Sequence, residues 1–142
     1  MNTTKPRDVQ PLHIATDTLI LRSRTWDRLK FEIEYALQRG TTANSFLIRA
    51  DQIALFDPPG ESFTEVFLKA LQERLDPKLI DYVILGHLNP NRLVTLNALL
   101  KLAPEITFVC SNPGAKSLRT LFEKLEDKAI PEQELKILVM KG

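Results

Sequence analysis

Up to Phe56 the apolar side chains recur at every second position in short runs; from Ser62 onward their spacing changes to three and four. The first pattern is that of half-buried strands and the second that of amphipathic helices. Leu12 to Ala15 and Thr18 to Arg24 are candidate strands separated by the turn signal Thr16-Asp17, with Leu19 and Leu21 on one side of the pleat. They predict an opening hairpin. Trp26 to Gln38 is mixed: Leu29, Ile33 and Leu37 are spaced as on a helix, Phe31 falls off that face, and Arg39-Gly40 ends the pattern. This stretch reads as a loop with some helix. Ser45 to Arg49 and Ile53 to Phe56, joined by Ala50-Asp51-Gln52, form a second predicted hairpin, which Asp57-Pro58-Pro59-Gly60 terminates.

Ser62-Phe63-Thr64-Glu65 fits a capping box, in which the serine oxygen accepts a first-turn N–H and the glutamate reaches back. Phe63, Val66, Phe67, Ala70 and Leu71 then make one apolar stripe. A strand from Tyr82 to Leu85 follows, then a helix from about Pro90 to Leu102 carrying Leu93, Leu96, Leu99 and Leu100. Ile106 to Cys110 is the next strand, and Asn112-Pro113 marks a helix start as cap and first-turn proline. That helix turns Leu118, Leu121, Phe122 and Leu125 inward, and Leu135 to Val139 is the last strand. Two hairpins followed by β-α-β-α-β describe a layered α/β or α+β domain with a mixed sheet and helices on one face. Tyr82 to Leu85 and Ile106 to Cys110 are apolar at nearly every position, as in strands covered on both faces, so the face without helices needs a cover of its own.

Composition narrows the function classes. The chain has 142 residues, enough for one core, and a net charge of +1 spread over nineteen basic and eighteen acidic residues. No basic face for nucleic acid follows from this. The single cysteine, Cys110, lies in an apolar run, which excludes a disulfide framework within the chain and reads as strand packing in a reduced, cytoplasmic protein. No run approaches the length of a membrane span.

One short stretch carries candidate chemistry. Gly86-His87-Leu88-Asn89-Pro90-Asn91-Arg92 sits where a buried strand hands over to a helix, the place where α/β sheets bind ligands. Alone, His87 reads first as a structural or solvent-facing histidine. Its company changes that, because His87, Asn89, Asn91 and Arg92 are spaced to converge above the helix start. For the two asparagines the plain alternative is helix capping, and for Arg92 a salt bridge to Asp57 or Glu61. A guanidinium beside a helix N-terminus favours anions, so His87 and Arg92 are candidate anion-binding residues unless an internal bridge neutralises Arg92; the bridge is the preferred reading. Trp26 reads as a loop anchor, and His13 has no partner in the sequence.

Several segments together carry a family resemblance. Arg22-Ser23-Arg24-Thr25-Trp26-Asp27, the run Arg39 to Ile48, Asp57-Pro58-Pro59-Gly60-Glu61-Ser62-Phe63, Ile80 to His87, and Ala103-Pro104-Glu105 leading to Phe108-Val109-Cys110-Ser111 resemble flavodiiron proteins, most nearly their cyanobacterial diflavin members. The resemblance implies that residues 1–142 are the amino-terminal half of a metallo-β-lactamase-like domain, a partial αββα sandwich. It also implies that the flavodoxin-like and flavin-reductase modules lie outside this chain. In that family the stretch after the strand reads His-x-Glu-x-Asp-His and ligates a diiron centre. Here His87 keeps the first position, while Asn89, Asn91 and Arg92 stand at the glutamate, aspartate and second histidine positions. The expected metal site is therefore degenerate, since neutral amides and a permanently charged guanidinium replace anionic oxygen and imidazole donors.

The function implied is a part of an NAD(P)H:oxygen oxidoreductase reducing dioxygen to water in photoprotective electron disposal. FMN and NAD(P)H would serve the full-length protein, with no cofactor held and no activity in this stretch alone. The partner expected is a ligand-complete paralogue in a hetero-oligomer, or a second copy in a homodimer. Two other classes compete: a non-catalytic interaction or regulatory module, and a metal-dependent hydrolase, which needs a His-x-His-x-Asp-His zinc motif that only His87 fits.

Overall fold

Residues 6–26 and 41–141 are described by the structure, a computed structural model. Their strands lie side by side in chain order as one mixed sheet: β1 (Asp8–Ala15), β2 (Thr18–Thr25), β3 (Thr41–Arg49), β4 (Ile53–Phe56), β5 (Tyr82–Ile84), β6 (Thr107–Cys110) and β7 (Lys136–Val139). β1 to β4 pair antiparallel, and β4 to β7 parallel. The change of sense follows from the connections. A short turn reverses the chain between β1 and β2 and between β3 and β4, whereas helices α1 (Thr64–Arg74), α2 (Leu93–Leu102) and α3 (Asn112–Glu123) carry it back along the sheet after β4, β5 and β6.

Both hairpins are longer than the apolar pattern predicts. β1 begins at Asp8 because its polar end is tied down: the Asp8 carboxylate accepts two N–H groups of Arg24 across the strand pair, at 2.7 and 2.6 Å. Arg24 also stacks over Trp26, its guanidinium carbon 5.2 Å from the ring centroid. β3 begins at Thr41, paired with Thr25, although Thr41 to Asn44 contain only one apolar side chain. The loop with some helix predicted over Trp26 to Gln38 lies, beyond Trp26, outside the described residues.

The helix starts also differ from expectation. A one-turn 3-10 helix, Glu61–Phe63, precedes α1, and Phe63 is the cap residue without a side-chain capping bond, so Ser62 and Glu65 do not form a capping box. The chain is already turning before the predicted cap is reached. α3 is capped by Ser111, whose hydroxyl accepts the Gly114 N–H at 3.2 Å, one residue ahead of the Asn112 predicted for that role.

Alternate sheet residues Leu19, Leu21, Leu47, Leu55, Val83 and Phe108 are buried against Phe67 and Leu71 of α1, Leu96, Leu99 and Leu100 of α2, and Leu118 and Phe122 of α3 in one core. Each such side chain contributes on the order of 1.5–3 kcal/mol by leaving water. The opposite face carries an apolar row in continuous register across every strand: Leu12, Ile20, Phe46, Phe56, Ile84, Val109 and Leu138. Ile20, Phe46, Phe56 and Ile84 are only half-buried, and Leu138 is exposed.

Candidate functional site

β4 and β5 run parallel and end on the same side, and β3, antiparallel to β4, begins there. Three segments therefore meet beyond the carboxyl ends of the strands: the start of β3, the turn after β4, and the loop between β5 and α2. They enclose a cavity of about 470 Å³, lined by His87, Asn89, Asn91 and Arg92 with Gly60, Ser62, Phe63 and residues 41–44. All four residues singled out in the sequence thus converge. His87 is exposed, while the other three are half-buried.

Asp57 organises the walls of this cavity. Its backbone is in the left-handed region, with a φ of 51°, a conformation that aspartate and asparagine tolerate better than most residues. The turn is held from every side. The Asp57 N–H donates to the Ile84 carbonyl at 2.9 Å, its carbonyl accepts the Ser45 hydroxyl at 2.8 Å, and its Oδ1 accepts the Gly86 N–H at 2.8 Å. The approach to Gly86 is close, since a Cβ on it would lie 3.1 Å from Asp57 Oδ2 and the carboxylate would have to shift to make room. The same Oδ1 receives Arg92 Nη1 at 3.5 Å, in an ion pair whose side chains are 15% exposed for Arg92 and 31% for Asp57. Of the two acids considered for Arg92, the structure places Asp57 against it.

Capping does not account for the asparagines. Asn89 precedes a one-turn 3-10 helix, Pro90–Arg92, but its side chain makes no capping bond; its backbone carbonyl accepts the Arg92 N–H at 3.1 Å. The Asn91 amide packs on Gly60, where an added Cβ would sit 2.8 Å from Nδ2. The Oδ1 atoms of Asn89 and Asn91 are buried without a hydrogen-bond partner among the described residues. Among the described residues no group of three His, Cys, Asp or Glu side chains is placed to hold a metal ion.

A second, smaller cavity of about 270 Å³ lies between His87 and Cys110. Cys110 is buried at the end of β6, and desolvation pushes its thiol above the usual range, with Arg119 acting weakly the other way. It packs as a small apolar residue. His13 stands exposed on β1, away from both cavities. The sequence pattern did not reveal Gly60 and residues 41–44 as walls of the site, nor the hold of Asp57 on Gly86. The Asp-Pro-Pro-Gly turn was its only signal, and it reads equally well as a strand terminator.

No family model matches the chain. Over its whole length it is 61% identical to diflavin flavoprotein A 6 of Nostoc sp. PCC 7120, of which it covers 24%. It superposes on the metal-soaked Flv1 flavodiiron core from Synechocystis sp. PCC6803 with a TM-score of 0.85 at 59% identity, covering 97% of this chain and 33% of that one. Over its whole length the chain is thus similar to flavodiiron proteins. A crystal structure of residues 1–254 of diflavin flavoprotein A 5 from Nostoc sp. PCC 7120 agrees at a TM-score of 0.83 and 55% identity, covering 97% of this chain and 51% of that fragment. The mixed sheet with helices on one face is thus metallo-β-lactamase-like. The chain spans about a quarter of the length of that diflavin flavoprotein A 6. Among its described residues no helix is long and apolar enough to cross a membrane.

Proposed function

We propose that the chain is the amino-terminal half of the metallo-β-lactamase-like domain of a cytoplasmic flavodiiron NAD(P)H:oxygen oxidoreductase, in which this subunit's own iron site is ligand-depleted. The intact protein passes electrons from NAD(P)H through FMN toward dioxygen, giving water. Its flavin and nicotinamide sites lie in modules outside residues 1–142, and iron is supplied by a ligand-complete paralogue in a hetero-oligomer.

The observation that carries this reading is the donor set gathered around one cavity. Two irons need anionic oxygens and neutral imidazoles. The cavity offers His87, two amides and a guanidinium already engaged with Asp57. A guanidinium does not deprotonate and so cannot ligate. These residues do not fit an iron pair, and no redox step is assigned to them. Their remaining work is structural: they fill the mouth of the strand ends and hold the loop between β5 and α2 in place.

The test is to purify the intact protein alone and co-produced with a ligand-complete paralogue. Alone, it is expected to hold bound flavin, to give no coupled-diiron signal by electron paramagnetic resonance, and to consume little oxygen with NAD(P)H. Co-produced, it is expected to co-purify with the paralogue and to consume oxygen. A coupled iron dimer in the protein alone would refute the proposal.

A further inference from the structure

We propose that Asp57 decides which ligands the cavity admits: its carboxylate holds the Arg92 guanidinium as an internal cation, and loss of that one negative charge opens the site to inorganic phosphate. This rests on the reading that the site lacks iron ligands. The pairing replaces a bound cation with a covalently tethered one, and the resulting neutral site holds out both metal ions, which meet a fixed positive charge, and oxyanions, which meet a carboxylate.

The geometry supports each part. Arg92 carries five N–H donors, and Asp57 engages one of its nitrogens, at 3.5 Å. The Arg92 side chain is largely withdrawn from solvent, so its charge is compensated mainly by what lies beside it. The Asn89 and Asn91 amide oxygens are held by no hydrogen bond among the described residues, so rotating either amide to present its NH₂ group breaks no bond to its oxygen. His87 and Ser62 line the same cavity. Once the carboxylate charge is gone, this is a set of donors around an unpaired guanidinium, the arrangement that binds tetrahedral oxyanions through charge-assisted hydrogen bonds.

Asp57→Asn isolates the charge. Asparagine accepts a left-handed φ, and its Oδ1 can still receive the Gly86 N–H, so the turn is kept. Phosphate is titrated into the full chain and followed at the Arg92 side chain by ¹⁵N NMR, with the Gly86 amide resonance as the marker of an intact turn. The wild type is expected to show no saturable response up to roughly tens of millimolar, and Asp57→Asn to bind at least about tenfold more tightly than that limit. Asp57→Asn combined with Arg92→Gln is expected to lose the response. Saturable wild-type binding as tight as that of the variant overturns the proposal, as does a phosphate-silent Asp57→Asn with an unchanged Gly86 resonance, or binding that survives in the double variant. If Asp57→Asn does not fold, Asp57→Gly, which tolerates the same φ, repeats the test with the same outcomes. Iron analysis of the intact protein is independent of this measurement: bound iron would remove the reading of the site, whereas a silent Asp57→Asn removes only the role given to Asp57.

Discussion

Replacing Asp57 by Asn, Gly and Ala separates what its side chain holds from what its backbone conformation costs. The Gly86 N–H donates to a carboxylate at 2.8 Å, and the loop there is solvent-accessible, so losing that bond costs about 1.5 kcal/mol, the low end for a charged acceptor. Alanine at a φ of 51° adds strain of about 1–2 kcal/mol. Glycine avoids that strain but brings extra unfolded-chain entropy of about 0.4–1 kcal/mol. Asparagine keeps both the acceptor and the tolerated φ. The expected order of stability is therefore Asp, Asn, Gly, Ala, with Asn within about 1 kcal/mol of wild type, Gly lower by about 2 and Ala by about 3. Urea unfolding of the full chain followed by far-UV circular dichroism measures these differences. An alanine variant as stable as the glycine variant would show that the turn relaxes out of the left-handed region, and the account of Asp57 as a fixed point would fail.

Phe67 is fully buried beneath the sheet, and Phe67→Ala should lower unfolding stability by about 3–5 kcal/mol, read from the denaturant midpoint. The Arg24 hydrogen bonds hold the Asp8 carboxyl below its ordinary value of 3.8, so the pair's stabilisation is complete above that pH and is lost as pH falls through the lowered value. Because both side chains are partly exposed, Asp8→Asn should cost only a few tenths of a kcal/mol at neutral pH and nothing in strong acid, a difference that paired melts at the two pH values would detect. Burial raises the Cys110 thiol and withholds thiolate, so its reaction with a disulfide reagent should be slow in the native protein and rise sharply in urea; equal rates in both would contradict its placement.

The elements that could be read from the sequence are those whose burial alone determines them. Ile53–Phe56 stands as predicted, and Tyr82–Ile84, α2 and Thr107–Cys110 deviate by a few residues at their ends, because a continuous apolar run or a leucine stripe must be covered. The reading stopped short where polar residues form structure through pairing. Asp8 to Pro11 and Thr41 to Asn44 join the sheet through cross-strand partners that lie elsewhere in the chain, and no local pattern announces them. Helix starts were misplaced by a residue or two because a 3-10 turn over Glu61–Phe63 runs into α1 ahead of any side-chain cap, and because Ser111 and Asn112 are neighbouring residues of equal capping ability. At the site, the convergence of His87, Asn89, Asn91 and Arg92 followed from their spacing. The counter-charge was narrowed only to Asp57 or Glu61: Asp57 lies 35 positions from Arg92, and the parallel pairing of β4 with β5 is what brings those two together.

The row from Leu12 to Leu138 bears on how such a protein is born. Under the proposed function a ribosome delivers these residues first, so for some time a broad greasy wall stands open while the layer that covers it is still being made. Chaperone capture in that interval is the natural outcome of a layer built to be sandwiched.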